Sequence, residues 1–218
     1  MGRLLVLEGL DGSGKSTQTE RLKEALLAAG ETVRQIKLPD YDAPSSTLVR
    51  QYLAGDFGND PQAVNAYAAS SFYAVDRVAS FLLDWKTDYD AGSLILADRY
   101  TTSNPIYQMT KLPKAEWDAF LDWADDYEFG KLGLPRPDRV IFLDMPVEVS
   151  QKMMTRRYEG DEGKKDVHER NVQFLNACRE AALYTAERWN WSVVRCWEGD
   201  EPRTIDAIAA DVYAEATR

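Results

Sequence analysis

The segment that most restricts the fold is Gly9-Leu10-Asp11-Gly12-Ser13-Gly14-Lys15-Ser16. It fits G-x-x-x-x-G-K-[ST] and stands between an apolar run, Leu4-Leu5-Val6-Leu7, and a helical stretch over 17–29 that stops at Gly30. A short continuous apolar run suits a strand buried on both faces of a parallel sheet. The glycines let backbone N–H groups turn inward around phosphate oxygens, and the start of the helix adds a dipole that favours negative charge. In such a loop Lys15 reaches the β and γ phosphates and Ser16 ligates magnesium, so a nucleoside triphosphate with Mg²⁺ is the expected ligand of residues 9–17, Thr17 included.

The rest of the chain repeats the alternation. Strands are expected over 32–38, 93–97, 139–144 and 191–197, with helices around 48–53, 62–85, 103–110, 115–128, 166–189 and 202–216. In the stretch 62–85, Val64, Tyr67, Phe72, Val75, Val78, Phe81 and Leu82 recur mostly at spacings of three and four, as one apolar helix face requires. The alternation implies an α/β, P-loop NTP-binding fold: a five-stranded parallel sheet flanked by helices, in one domain spanning 1–218. The one segment outside the pattern, 156–166, is charged and interrupted by Gly160 and Gly163, and is expected to be a mobile lid.

Composition narrows the function. Among 218 residues, 26 Lys+Arg stand against 36 Asp+Glu, a net charge of −10 that repels polyanions, and no basic run offsets it; nucleic acid is not an expected partner. No apolar stretch approaches the roughly 18–20 residues of a membrane span, so no membrane association is expected. The apolar run before Glu8 is also too short for a signal peptide, leaving a cytoplasmic location. Cys178 and Cys196 form no C-x-x-C pair and read as reduced core thiols.

A phosphate-binding loop alone does not separate kinases from switches and motors. No Asn-Lys-x-Asp exists to read guanine. At the carboxyl end of the third strand, where open α/β sheets place ligands, stands Asp98-Arg99. Asp98 can hold magnesium through water and Arg99 can fork onto a phosphate, which suits an acceptor site.

Taken together, Leu7 through Gln18, Asp98-Arg99-Tyr100 with Ser103-Asn104, Leu143-Asp144-Met145-Pro146-Val147-Glu148, and Tyr73 four residues before Arg77 resemble the thymidylate kinase family over most of the chain. The resemblance implies transfer of the ATP γ-phosphoryl group to dTMP, giving dTDP and ADP, with Mg²⁺ as cofactor, ATP and dTMP as partners, and a homodimer. It implies Tyr73 stacked on the pyrimidine, Arg77 donating to a ring carbonyl and Asn104 approaching the base. It further implies Tyr107 crowding the ribose 2′ position, Asp11 touching the 3′ hydroxyl, and Gln108 beside the site. Lys15, Asp98 and Arg99 would be catalytic, with Ser16 and Asp98 on the metal.

One departure bears on the acceptor. The family usually carries an arginine beside the proline after the second strand; here the segment is Leu38-Pro39-Asp40-Tyr41, so Arg99, and after it Arg50, are the substitutes. Positions 10–13 also lack a cation, which assigns the extra transition-state charge to Arg156 or Arg157 in the lid, near Lys164 and Lys165. Asp166 and Glu169 match the family's D-x-x-E or cap a helix, and His168 is expected at the surface. A deoxynucleoside kinase or another monophosphate kinase is the alternative within enzymes; a nucleotide-binding regulatory module without transfer activity is the alternative outside them.

Overall fold

The computed structural model describes residues 2–58, 60, 62–157 and 172–218, the side chains of 154–157 excepted. Five strands form one parallel sheet: β1 Arg3–Gly9, β2 Val33–Lys37, β3 Leu94–Asp98, β4 Arg139–Asp144 and β5 Ser192–Arg195, in the order β2-β3-β1-β4-β5. This is the expected doubly wound α/β sheet. The central strand β1 is buried from Leu4 to Gly9, which is why its sequence does not alternate.

Successive side chains point to opposite faces, so each strand feeds two cores. Leu4, Val6, Ile95, Ala97, Val140 and Phe142 pack with Trp85, Tyr100, Cys178 and Ala182 on one face. Leu5, Leu7, Leu94, Leu96, Ile141 and Leu143 pack on the other with Leu22 and Leu26 of α1 (Lys15–Ala28). Burying each Leu, Ile, Val or Phe among them contributes about 1.5–3 kcal/mol.

The remaining helices are α2 Thr47–Ala54, α3 Ala66–Ser80, α4 Lys86–Asp90, α5 Ser103–Gln108, α6 Trp117–Asp125, α7 Val147–Arg157, α8 Val172–Arg188 and α9 Ile205–Thr217. The long helix expected over 62–85 starts later, where Asn65 caps α3 by accepting from the Ala68 amide (2.8 Å). After Ser80 it widens into a π-helical turn, Phe81–Trp85, and a second π turn, Asp126–Lys131, follows α6. The fifth strand ends at Arg195, short of the expected 197, because Trp197–Glu198 (β6) pairs instead with Glu201–Pro202 (β7) as a small antiparallel ribbon. Pro202 therefore lies in the ribbon, and Thr204 caps α9 by accepting from the Ala207 amide (3.2 Å).

The expected lid begins within the last turn of α7; its residues 158–166, with Asp166, His168 and Glu169, lie outside the described residues, as do the side chains of Arg156 and Arg157. Among the described residues no helix is long and apolar enough to cross a membrane.

Cys178 and Cys196 are free and buried, as expected of core thiols. Burial pushes the Cys196 thiol up to about 12 and raises Cys178 as well, so neither supplies thiolate at neutral pH. Iodoacetamide at pH 7.5 should therefore leave both unmodified in the folded protein and label both in guanidinium, read by intact-mass spectrometry; rapid labelling of the native protein would contradict this packing.

Candidate active site

The carboxyl ends of the parallel strands converge. Leu7 of β1 and Lys37 of β2 are in register with Asp98, and Gly9 with Leu143, so the loops after β1, β2, β3 and β4 open on one edge.

The loop after β1 closes with the Ser13 amide donating to the Leu10 carbonyl (3.1 Å), and Gly14 enters α1 at φ 83°, a left-handed conformation that favours glycine. A Cβ on Gly9 would meet Ser13 Oγ at 2.5 Å and Leu143 Cβ at 3.3 Å, so a side chain there would close the cradle. The Ser13 hydroxyl is buried without a hydrogen-bond partner. Helix α1 has neither a side-chain cap nor an acidic first turn, and Ser16 and Thr17 are exposed there. Its free N–H groups and positive end are thus uncompensated by the protein.

Lys15 Nζ donates to Asp98 Oδ1, both side chains being largely buried. Burial, and after it the Arg99 guanidinium, holds the Lys15 ammonium below its usual value, while Asp98 and Glu8 pull it back up. A cation this poorly hydrated interacts strongly with an incoming phosphate oxygen.

Arg99 follows Asp98 with φ 71°, unusual for a residue bearing a side chain. Its amide still bonds the Leu7 carbonyl (3.2 Å), but the turn sends the guanidinium elsewhere: Nη1 donates to Tyr107 Oη (2.8 Å) and Nη2 to Asp11 Oδ1 (3.2 Å). Behind it, the buried Glu8 accepts from Thr102 and Ser103 hydroxyls (both 2.7 Å) through Oε1. Its Oε2 has no hydrogen-bond partner and lies 4.0 Å from Arg99 Nη1. Burial raises the Tyr107 phenol above its usual value, so it remains a neutral hydroxyl.

Tyr73 lies edge-on to Tyr52, 6.3 Å between ring centres at 86°, and burial raises its phenol too, with Tyr41 and Tyr52 adding to the effect. Arg77, one turn along α3, is 3% exposed rather than solvated: Nε and Nη2 fork onto Glu128 (2.7 and 2.5 Å) and Nη1 reaches the Tyr100 carbonyl at 3.4 Å. Asn104 Nδ2 joins the same carboxylate (2.7 Å) and the Ser70 carbonyl (3.3 Å). Gln108 is buried and its Oε1 has no partner.

The structure therefore brings Lys15, Asp98, Arg99, Asp11 and Tyr107 together, with Arg77 and Asn104 on one shared anchor. Arg50, the second candidate for the phosphate clamp, has other partners here. It is engaged by its own loop, donating to the Tyr41 and Ala43 carbonyls (2.6 and 3.1 Å) and the Ser46 and Thr47 hydroxyls (2.5 and 3.0 Å). Asp40, in the same segment, accepts from the Asp42 amide (3.3 Å), and its own amide donates to the buried Asp76 (3.1 Å). Sequence reasoning missed Glu8, Asp76 and Glu128. A charged residue inside the apolar β1 run was a signal for Glu8; nothing local marked Glu128.

The family model described as thymidylate kinase matches residues 7–197. The thymidylate kinase of Mycobacterium tuberculosis (strain ATCC 25618 / H37Rv) is 30% identical over 200 residues, covering 88% of this chain and 90% of that protein. The thymidylate kinase of Homo sapiens is 27% identical over 213 residues (97% and 88%), and the probable thymidylate kinase of Thermococcus onnurineus is 30% identical over 208 residues (94% and 90%).

Proposed function

Because the chain belongs to the thymidylate kinase family, we propose that the sheet edge bearing Lys15, Asp98 and Arg99 is where it acts. It is a dTMP kinase, moving the γ-phosphoryl group of ATP onto dTMP to give dTDP and ADP. The observation that carries the placement is the adjacency of a phosphate cradle, headed by Lys15, to a second cation, Arg99, that donates to Asp11 of the same loop and to Tyr107 beside it.

Phosphoryl transfer passes through a loose transition state, so catalysis is positioning and charge neutralisation with no covalent intermediate. The amides of residues 9–17 hold the ATP phosphates, and Lys15 meets the charge growing on the β–γ bridge. Arg99 takes the acceptor phosphate in place of the arginine missing after Pro39. Tyr73 stacks on the base, Arg77 and Asn104 face its polar edge with Gln108 beside them, Tyr107 crowds the 2′ position and Asp11 meets the 3′ hydroxyl. Arg156 or Arg157 supplies the additional cation from the lid.

The exposed Ser16 hydroxyl and the Asp98 carboxylate are hard oxygen donors of the kind that suits magnesium. They would hold Mg²⁺, whose chemistry there is neutralisation of phosphate charge. We expect one domain over 1–218, a homodimer, and a cytoplasmic location.

The test is one coupled ADP-release assay with ATP and thymidine, dTMP, dUMP or dCMP. dTMP should give the highest kcat/KM; faster turnover of thymidine would identify a nucleoside kinase, and ATP binding without ADP release for any acceptor a regulatory module.

A further inference from the structure

Glu128 is 1% exposed and belongs to the π turn after α6, yet it receives side chains from two other elements, α3 and α5. A buried ion pair adds little stability over apolar packing of the same volume, so burying three polar groups here calls for another reason.

The chemistry of the partners supplies one. A carboxylate bound by a guanidinium only accepts hydrogen bonds, so the Asn104 amide must turn its nitrogen toward Glu128. Its Nδ2 also donates to the Ser70 carbonyl, so both amide hydrogens are spent inside the protein and the group left for a ligand is the acceptor Oδ1. Arg77 is the opposite case. With Nε and Nη2 on Glu128 and one Nη1 hydrogen toward the Tyr100 carbonyl at 3.4 Å, Nη1 keeps one donor for a ligand and has no lone pair to offer. The two side chains can therefore present one acceptor and one donor, in fixed roles. Thymine carries N3–H beside the O4 acceptor and matches; cytosine carries an N3 acceptor beside an N4 amino donor and meets two wrong signs.

We propose that Glu128 is a positioning residue that sets the hydrogen-bond polarity of Asn104 and Arg77, and thereby makes the site select a 4-keto over a 4-amino pyrimidine. This rests on dTMP lying against those two residues, as argued above.

The experiment compares dTMP with 5-methyl-dCMP, which keeps the methyl group and differs in the N3–C4 polarity, in the wild type, Glu128→Gln and Asn104→Ala. The wild type should favour dTMP by about 100-fold or more in kcat/KM, the scale on which sites reject a ligand that leaves buried polar groups unpaired. A glutamine can give as well as take hydrogens and frees the amide to turn. E128Q should therefore lose at least about tenfold of that preference, mainly through a raised KM for dTMP, with kcat and the KM for ATP within about threefold. N104A, which keeps the Arg77–Glu128 pair, should lose the preference similarly and carries the test alone if E128Q does not fold. Retention of the wild-type preference within about twofold, in either variant with ATP binding intact, overturns the proposal. A wild type that does not use dTMP would instead remove the acceptor placement on which it rests.

Discussion

Replacing Lys15 with alanine should lower kcat for dTMP by about 10³-fold or more while the protein stays folded, because a preorganised cation aimed at developing charge is worth several kcal/mol in a site that excludes water. The side chain is already desolvated and held on Asp98, so its charge costs no reorganisation when phosphates arrive. A steady-state ADP-release assay gives the rate, and a circular-dichroism melt checks the fold. Turnover within tenfold of the wild type would take Lys15 out of the transition state and leave neutralisation to Arg99 and the lid.

The second large effect is on stability. Arg77→Leu leaves the Glu128 carboxylate buried with Asn104 as its remaining side-chain partner, and removing one member of a buried pair costs about 3–5 kcal/mol. For a chain of this size that lowers Tm by on the order of 10 °C. Glu128→Leu in the same background should recover most of the loss, since apolar packing replaces the stranded charge. A single variant melting within about 2 °C of the wild type would show that the pair carries little of the fold. The double variant should nevertheless bind dTMP poorly, separating what the pair does for folding from what it does for the base.

How far the sequence reveals this molecule depends on how local the cause is. The sheet was legible because each strand's burial is written in its own residues: Leu4 to Leu7 and Ile95 to Ala97 are apolar without alternation, as strands covered on both faces must be. The cradle was legible because eight consecutive residues build it. The breaks in the helices were not, since the π turns at Phe81–Trp85 and Asp126–Lys131 insert one extra residue per turn without any residue type that announces them. The ribbon after β5 was hidden for a similar reason. Cys196 continues the edge by donating to the Asp144 carbonyl (2.9 Å) and accepts from the Arg203 amide (3.0 Å), a bond made by a residue seven positions on.

The site divides the same way. Lys15, Asp98 and Arg99 could be read from motifs, but their neighbours are set by chain crossings. Glu8 meets Thr102 and Ser103 more than 90 positions away, and Glu128 gathers Arg77 from 51 positions off and Asn104 from 24. Arg50, the second substitute for the missing arginine by sequence, bonds instead to the carbonyl and hydroxyl groups of the neighbouring loop. No periodicity encodes such partnerships.

The left-handed backbone of Arg99 has an outcome beyond its own strain. Because the backbone turns left-handed at that residue, two consecutive side chains take different partners: Asp98 accepts from the Lys15 ammonium, and Arg99 donates to the Tyr107 hydroxyl and the Asp11 carboxylate. The span between the two positive centres is thereby tied to one covalent link instead of to the looser packing of separate loops. Inserting or deleting one residue at that junction should therefore part the guanidinium from Tyr107 and Asp11.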